Sequence, residues 1–253
     1  RVPLSRAFPI IARKPTFWTM AMGAALTALV GYGLAGFQAP MAQRIHGIPP
    51  GEFALRFGVP LSLAAAFGTF LGGFLTEKLT PRSFTTVAWL PAVGIVLSIP
   101  LYEYAYFRPT EELDLALVAW ALAAILHFAY IGSQYTIGQG VVSTRSRATA
   151  IALLLFIVAL IGNGLGPLIF GWMSDMFMTM QIADHGMAGV LTNEICRARD
   201  LSALPADQQA VCATAYGEGL RLSMAATALL FIPAAAFFLA AAVTLRKDMV
   251  AKM

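Results

Sequence analysis

Long stretches without a charged residue dominate this sequence. Runs free of Asp, Glu, Lys and Arg cover six segments of at least 20 residues each, namely 15–43, 57–76, 83–102, 115–144, 148–174 and 222–245. A helix needs about 20 apolar residues to cross the hydrocarbon layer of a membrane. Inside lipid a chain must satisfy its own backbone hydrogen bonds, so such runs predict helices rather than strands. The sequence predicts an all-α, polytopic membrane protein with a six-transmembrane-helix bundle.

The composition agrees with lipid as the solvent. Hydrophobic residues make up 58% of the chain and charged residues 12%, and the mean hydropathy is +0.73. A soluble domain of this size needs more charge to cover its surface. The basic residues lie in short clusters between neutral runs rather than on one face with aromatics, which excludes nucleic acid as a partner. With only two cysteines, no cysteine-based metal site is expected, and we predict neither a metal nor a cofactor.

The charges of the connecting segments predict the orientation. Alternate connectors hold 11 Lys and Arg, and the other set holds six. Basic connectors remain in the cytoplasm, so both termini are predicted to be cytoplasmic. The protein is expected in a plasma membrane or a bacterial inner membrane. The connectors of the basic set are 1–14, 77–82, 145–147 and 246–253.

The same pattern predicts the domain organisation. Residues 1–14 mix apolar and basic side chains, which favours a cytoplasmic interfacial segment on the inner membrane surface. Residues 15–253 form the bundle. An aromatic belt is predicted where the third span leaves the bilayer, from Tyr102, Tyr104, Tyr106 and Phe107. The predicted spans cover about 15–43, 54–77, 83–106, 114–142, 148–174 and 219–245, with an outer loop at 175–218.

The connector after the second span carries a recognisable pattern. Gly73 is followed by the acid Glu77, the base Lys78 and, after a turn, the base Arg82. This segment resembles the signature loop of the major facilitator superfamily, although Thr80 stands where that pattern has a second glycine. Glycine permits close helix contact, and an acid suits a neighbouring helix N-terminus. The alternative is an ordinary basic turn between two spans.

Three further stretches indicate which branch of the superfamily this sequence resembles. Residues 141–150, residues 162–175 and residues 215–221 resemble the C-terminal half of a spinster-type facilitator, a branch associated with export of sphingosine phosphate and lysophospholipids. The resemblance implies twelve spans in two six-helix bundles that bind substrate between them and rock against each other. This chain then supplies spans seven to twelve, and its partner is the N-terminal six-helix half. A start at Arg1 without an initiator methionine is expected of a piece of a longer protein.

Polar residues deep in the spans are candidates for the substrate cavity, because they are costly in lipid and usually face a cavity or a partner. In the fourth span the positions i, i+3 and i+7 share one helical stripe. The alternative for each residue is a hydrogen bond between helices, worth under about 1 kcal/mol. His127 is the one mid-membrane group with a suitable unperturbed pKa for proton coupling. The candidates are His127, Tyr130 and Gln134 in the fourth span, Asn163 in the fifth, and Tyr32 and Gln38 in the first.

Two smaller hypotheses concern the ends of the bundle. Glu77 is expected to contact the N-terminus of the fifth span and the nearby Arg145 or Arg82. Such contacts form a conformational latch that holds one state of the transport cycle. Cys196 and Cys212 lie in the same predicted outer loop. An oxidising compartment favours a disulfide between them, and two free thiols are the alternative.

Two sequence patterns resemble enzyme motifs but lack the structural context that those motifs require. The segment 31–36 matches G-x-G-x-x-G but lies within a continuous apolar helix, whereas a dinucleotide site needs a strand before it. Close helix packing explains it better, as it does the Gly-xxx-Gly pairs at 68–72 and 162–166. An intramembrane serine protease built on Ser133 needs a histidine on another helix, but His127 lies six residues earlier on the same one, about 120° around it. We predict that the chain is not an enzyme.

These features together predict a function in transport. We expect the C-terminal half of a secondary active transporter that works by alternating access on a lipid-like or amphipathic organic anion. Its expected partners are membrane lipid, a small amphipathic substrate and, as a candidate coupling ion, the proton. A small organic-anion/proton symporter is the alternative within transport. Outside transport, the alternative is a six-span structural or assembly subunit.

Overall fold

A computed structural model of the chain describes residues 4–81, 83, 85–198 and 200–250. Every regular element in these residues is helical. The α-helices are α1 (Leu4–Ala12), α2 (Pro15–His46), α3 (Pro50–Phe53), α4 (Val59–Leu79), α5 (Thr86–Tyr106), α6 (Leu113–Phe128), α7 (Tyr130–Gly140), α8 (Arg147–Val158), α9 (Gly166–Asp184), α10 (Asn193–Cys196), α11 (Ala206–Ala228) and α12 (Phe231–Asp248).

Six helical segments of the described chain are long and apolar enough to cross a membrane, which confirms the predicted all-α bundle of six spans. Span 1 is the most buried, because it contacts spans 4, 5 and 6. Spans 2 and 5 are the least buried, with 22% of the most apolar window of each buried inside the bundle. The spans are Pro15–His46 (span 1), Pro50–Leu79 (span 2), Thr86–Tyr106 (span 3), Thr110–Gly140 (span 4), Thr144–Asp184 (span 5) and Ala206–Asp248 (span 6).

Glycines bring span 2 directly against span 4. A Cβ atom added to Gly72 would overlap the carbonyl oxygen of Ala129, and one added to Gly132 would lie 2.7 Å from the Cα atom of Gly73. These contacts join backbone to backbone, so no side chain can move aside to make room. Small residues serve this purpose in membranes, where close van der Waals contact replaces the hydrophobic effect as the source of helix association.

Span 5 packs on span 1 in the same way. A Cβ atom at Gly162 would lie 2.7 Å from the Cβ atom of Ala28, and one at Gly166 would lie 2.9 Å from the carbonyl oxygen of Leu29. Gly162 lies in a π-helical segment, Ala159–Leu165, that interrupts span 5 between α8 and α9, and Gly166 is the first residue of α9. A second π-helical segment, Ala54–Gly58, joins α3 to α4 near the start of span 2. Such segments often mark functional sites inside helices.

The beginning of span 1 and the end of span 6 meet at one end of the bundle, here called the termini face. The carboxylate of Asp248 accepts hydrogen bonds from the backbone N–H of Thr16 at 3.1 Å and from its hydroxyl at 2.8 Å. Lys14 donates to the main-chain carbonyl of Asp248 at 3.0 Å. Beyond α12, the backbone N–H of Val250 donates to the carbonyl of Gly140 at 2.9 Å. These bonds fasten spans 1, 4 and 6 together.

The opposite end, here called the loop face, carries the long connection between spans 5 and 6. A disulfide joins Cys196 of α10 to Cys212 of α11. The side-chain amide of Asn193 donates to the carbonyl of Asp175 at 2.9 Å, and Arg197 forms an ion pair with the Asp175 carboxylate. The connection is therefore fastened covalently to α11 and by polar contacts to α9. The connection runs from the end of α9 at Asp184 to the start of α11 at Ala206 and contains the short helix α10.

A short helix precedes span 1. In α1 the side chain of Ile11 is fully buried, whereas Phe8 and Ile10 are exposed. The helix contacts α2 and α8, so it crosses the termini face from span 1 towards span 5. Its position at the level of the helix ends fits an interfacial segment, and the predicted cytoplasmic location stays a prediction.

Candidate functional site

A groove runs between spans 1 and 2, and span 4 forms its floor. It encloses about 650 Å³, a size within the range of small-molecule sites, about 300–1,000 Å³. None of the described residues that line it is charged. We call it the span 1–span 2 groove. Its polar or aromatic lining includes Gln38, Ser62, Tyr102, Trp120, His127 and Phe128.

His127 lies at the floor of the groove and is only 2% exposed. A hydrogen bond of 3.1 Å joins its Nδ1 atom to the hydroxyl of Tyr102 in span 3. In the Nε2-protonated tautomer the hydroxyl is the donor. The ring packs edge to face on Phe231 of span 6 at 4.7 Å between centroids, and a Cβ atom at Gly31 of span 1 would lie 3.1 Å from its Cε1 atom. One histidine thus contacts spans 1, 3 and 6.

The other two members of the predicted stripe do not line the groove. The span 4 helix is interrupted at Ala129, between α6 and α7. Tyr130 is buried, and its ring lies 6.0 Å from that of His127 and 6.4 Å from that of Phe238. Gln134 is buried as well, and its Oε1 atom has no partner among the described residues. The stripe therefore points into the bundle, and only His127 reaches the groove.

The remaining cavity candidates divide between the groove and the open surface. Gln38 lines the groove. Tyr32, two residues before Leu34 of the groove lining, is 48% exposed. Asn163 is exposed within the π-helical segment of span 5. Their role as substrate contacts stays a prediction.

The predicted aromatic belt is wrong for two of its four residues. Tyr102 and Tyr106 are buried, with their rings stacked at 5.8 Å, whereas Tyr104 and Phe107 are exposed. Residues four apart lie on the same helical face, and in α5 that face is turned towards span 4. Tyr102 and Trp120, both part of the groove, were not among the sequence candidates; the i, i+4 tyrosine spacing was the one signal that could have found the first of them.

The predicted latch loop lies at the termini face. Gly73 and Glu77 line a cavity of about 460 Å³ together with Thr80 and Thr136. Glu77, Lys78 and Arg145 are exposed, and Arg82 lies outside the described residues. No ion pair between Glu77 and Arg145 occurs among the described residues, so the latch contact stays a prediction.

The described residues hold no group of three or more His, Cys, Asp or Glu side chains that could bind a metal ion. The groove offers neutral hydrogen-bonding groups in an apolar wall. Such a lining can hold an apolar or neutral molecular surface and orient it through a few hydrogen bonds.

Known proteins that are similar to this chain are membrane transporters. No protein-family model matches the chain. A bacterial homologue of the human lysosomal transporter Spinster, solved in an inward-facing and unoccupied conformation, is 47% identical, with a TM-score of 0.87 over 98% of this chain and 52% of that one. The same kind of homologue in an inward-facing and occupied conformation is 46% identical, with a TM-score of 0.84 over 96% of this chain and 52% of that one.

The chain has the fold of half a major facilitator superfamily transporter and is similar to one half of these Spinster homologues. It spans about half the length of these solved homologues. An MFS-type efflux pump of Mycolicibacterium smegmatis is 27% identical over 165 residues, which are 65% of this chain and 38% of that protein. The predicted resemblance is thereby confirmed, and the chain is a multi-pass integral membrane protein.

Proposed function

We propose that this chain is the C-terminal half of a secondary active transporter that moves a lipid-like or amphipathic organic anion by alternating access. The observation that carries the proposal is the match, over nearly the whole chain, to half of spinster homologues solved in unoccupied and occupied inward-facing states. The remaining half of such a transporter is the proposed partner, and the exposed faces of spans 2 and 5 are available to meet it.

The groove supports the amphipathic part of this proposal. Its apolar wall with a few neutral polar groups suits a molecule with a long apolar portion better than a small ion. A small organic-anion/proton symporter is the alternative within transport, with His127 as the candidate proton carrier. A structural or assembly role, without transport or catalysis, is the alternative outside it.

Uptake by the intact protein in proteoliposomes tests the proposal. Counterflow of a labelled single-chain anionic lipid is expected, with little counterflow of a short-chain carboxylate of the same charge. Uptake of the carboxylate alone favours the symporter. No counterflow of either compound, from protein that is folded and correctly inserted, contradicts transport.

The proposed orientation places the termini face in the cytoplasm. Cysteines introduced at Ser143, which is exposed on that face, and at Thr110, which is exposed on the loop face, report it. In sealed cells, Thr110→Cys is expected to react with an impermeant thiol reagent and Ser143→Cys only after permeabilisation. Ser146 is unsuitable because it is buried. Reaction of Ser143→Cys but not of Thr110→Cys in sealed cells contradicts the proposed orientation.

The same Ser143→Cys label, combined with Glu77→Gln, tests the latch through a change in the reactivity of the introduced cysteine.

His127 is proposed to contact the substrate or a coupled proton. His127→Ala is expected to lower transport per folded molecule about tenfold, the effect of losing one hydrogen bond or polar contact worth about 1.4 kcal/mol. The matched control is His185→Ala, because His185 is exposed in the loop after α9. A histidine that only joins helices gives the opposite pattern: the unfolding temperature of His127→Ala falls while transport per folded molecule stays at the wild-type level.

A further inference from the structure

Three exposed basic side chains from opposite ends of the chain lie at one corner of the termini face. Lys14 donates to the main-chain carbonyl of Asp248 at 3.0 Å, which brings Arg13, just before span 1, to the same corner as Arg246 and Lys247 at the end of span 6. These three side chains are exposed, and none of them forms an ion pair with any described residue. We call them the basic corner.

The one carboxylate at this corner among the described residues does not neutralise it. The side chain of Asp248 is buried, accepts two hydrogen bonds from Thr16 and lies 3.8 Å from Lys14, so its charge is already used inside the bundle. The loop face differs, because several of its arginines pair with carboxylates. Those described arginines are Arg56, Arg108, Arg197 and Arg221. The basic corner therefore lacks a counter-charge that the loop face has.

Exposed apolar surface adjoins the basic corner on two sides. In α1, which leads into span 1, Phe8 and Ile10 are 45% and 46% exposed. On span 6, exposed apolar residues recur every three or four positions and so form one stripe along the helix. Lys247 continues the stripe at the same spacing, and long basic side chains at such a position reach from apolar surface to charged headgroups. The stripe comprises Ile232, Ala236, Ala240 and Val243.

We propose that the basic corner binds the headgroups of anionic phospholipids, with Phe8 and Ile10 of α1 inserted at the boundary between the headgroups and the acyl chains. The headgroups supply the counter-charge that the described residues do not. The adjoining apolar side chains favour a lipid over a soluble anion or an acidic protein, because an interfacial helix combines basic residues with apolar ones that enter the bilayer. This surface lies outside the span 1–span 2 groove and does not depend on the substrate.

Two lipids that differ only in the headgroup test the proposal. The intact protein in neutral detergent is titrated with dioctanoyl phosphatidylglycerol, which is anionic, and with dioctanoyl phosphatidylcholine, which is zwitterionic. The wild-type protein is expected to bind the anionic lipid more tightly and to lose this preference in high salt, which screens exposed charges. Arg13→Gln, Arg246→Gln and Lys247→Gln are each expected to lower the preference about fivefold, the equivalent of about 1 kcal/mol for one basic residue near an anionic surface.

The matched control is Arg56→Gln, because Arg56 is exposed at the loop face and already pairs with Asp114; it is expected to keep the preference. Hydrogen exchange in lipid nanodiscs gives a second, local measurement. The backbone amides of α1 are expected to exchange more slowly in bilayers that contain phosphatidylglycerol than in phosphatidylcholine alone. Phe8→Ser is expected to speed their exchange in both bilayers, since its apolar contact does not depend on the headgroup charge.

Equal affinity of the wild-type protein for the two lipids overturns the proposal. So does an equal loss of preference in Arg56→Gln and in the variants of the basic corner, because net charge rather than this surface then decides the binding. Slow exchange of α1 that is the same in both bilayers indicates that the remaining half of the transporter covers it, which also overturns the proposal. None of these measurements involves uptake, so their outcome is independent of the proposed transport function.

Discussion

Gly72→Ala is expected to destabilise the protein more than any other single-methyl addition to the contact between spans 2 and 4. The new Cβ atom would overlap the carbonyl oxygen of Ala129 and lie 2.6 Å from its carbonyl carbon and Cα atom. These are backbone atoms of a packed helix, so the two spans must separate. Overpacking of this kind costs about 3 kcal/mol, which corresponds to a fall in unfolding temperature on the order of 10 °C. Thermal unfolding of the purified protein, followed by intrinsic fluorescence, measures it.

The neighbouring glycine supplies the control for Gly72→Ala. A Cβ atom at Gly73 meets no atom within 4 Å, and the same holds for Gly171 in α9. Alanine has a higher helix propensity than glycine by about 1 kcal/mol, so Gly73→Ala and Gly171→Ala are expected to leave the unfolding temperature unchanged or to raise it. If Gly72→Ala unfolds at the same temperature as these two variants, the backbone contact between the spans does not contribute to stability.

The sequence predicted the number and type of spans because lipid imposes one rule on every segment that crosses it. A charge-free run of about 20 residues has few alternatives to a membrane helix. The helices nevertheless extend past the runs. Asp175 and Arg221 bound the charge-free stretches 148–174 and 222–245, yet α9 continues to Asp184 and α11 begins at Ala206. Charged residues end a hydrophobic segment, but they do not end a helix that continues into water.

Glycine spacing predicted close packing but not the packing partners. The pairs Gly68–Gly72 and Gly162–Gly166 were expected to lie in helix contacts, and they face spans 4 and 1 respectively. A spacing of four residues between glycines indicates that one face of the helix carries small residues. Which helix approaches that face depends on the arrangement of all six spans, and no local pattern specifies it.

The candidate site was harder to predict for the same reason. Depth in the membrane selected His127 and Gln38, which line the groove, but also Tyr130 and Gln134, which point into the bundle. All four positions satisfy the same sequence criterion, which is a polar side chain within a predicted span. Trp120 was missed because it is aromatic in an aromatic-rich apolar span, where nothing marks one side chain as part of a groove. That information exists only once the neighbouring helices are in place.

Asp248→Ala is the second substitution with a large expected effect. The Asp248 side chain is nearly buried at the termini face and accepts two hydrogen bonds from Thr16, in the first turn of span 1. It therefore caps a helix from another span and complements the positive end of that helix. Its removal leaves a buried N–H group without an acceptor and deprives Lys14, 3.8 Å from the carboxylate, of its partner. Loss of a cap together with a buried charge partner costs about 2–4 kcal/mol.

Comparing Asp248→Ala with Asp114→Ala separates the effect of losing the helix cap from the effect of losing an ion pair. Asp114 pairs with Arg56 at 2.8 Å, but its side chain is 87% exposed, and exposed pairs contribute little because water and salt screen them. Asp114→Ala is therefore expected to leave the unfolding temperature unchanged, while Asp248→Ala lowers it clearly. Asp248→Asn keeps an oxygen that can accept from Thr16 but loses the charge, so it is expected to fall between the two. Equal unfolding temperatures for Asp248→Ala and Asp114→Ala contradict the role of Asp248, because the fastening of spans 1 and 6 then depends on packing and not on this carboxylate.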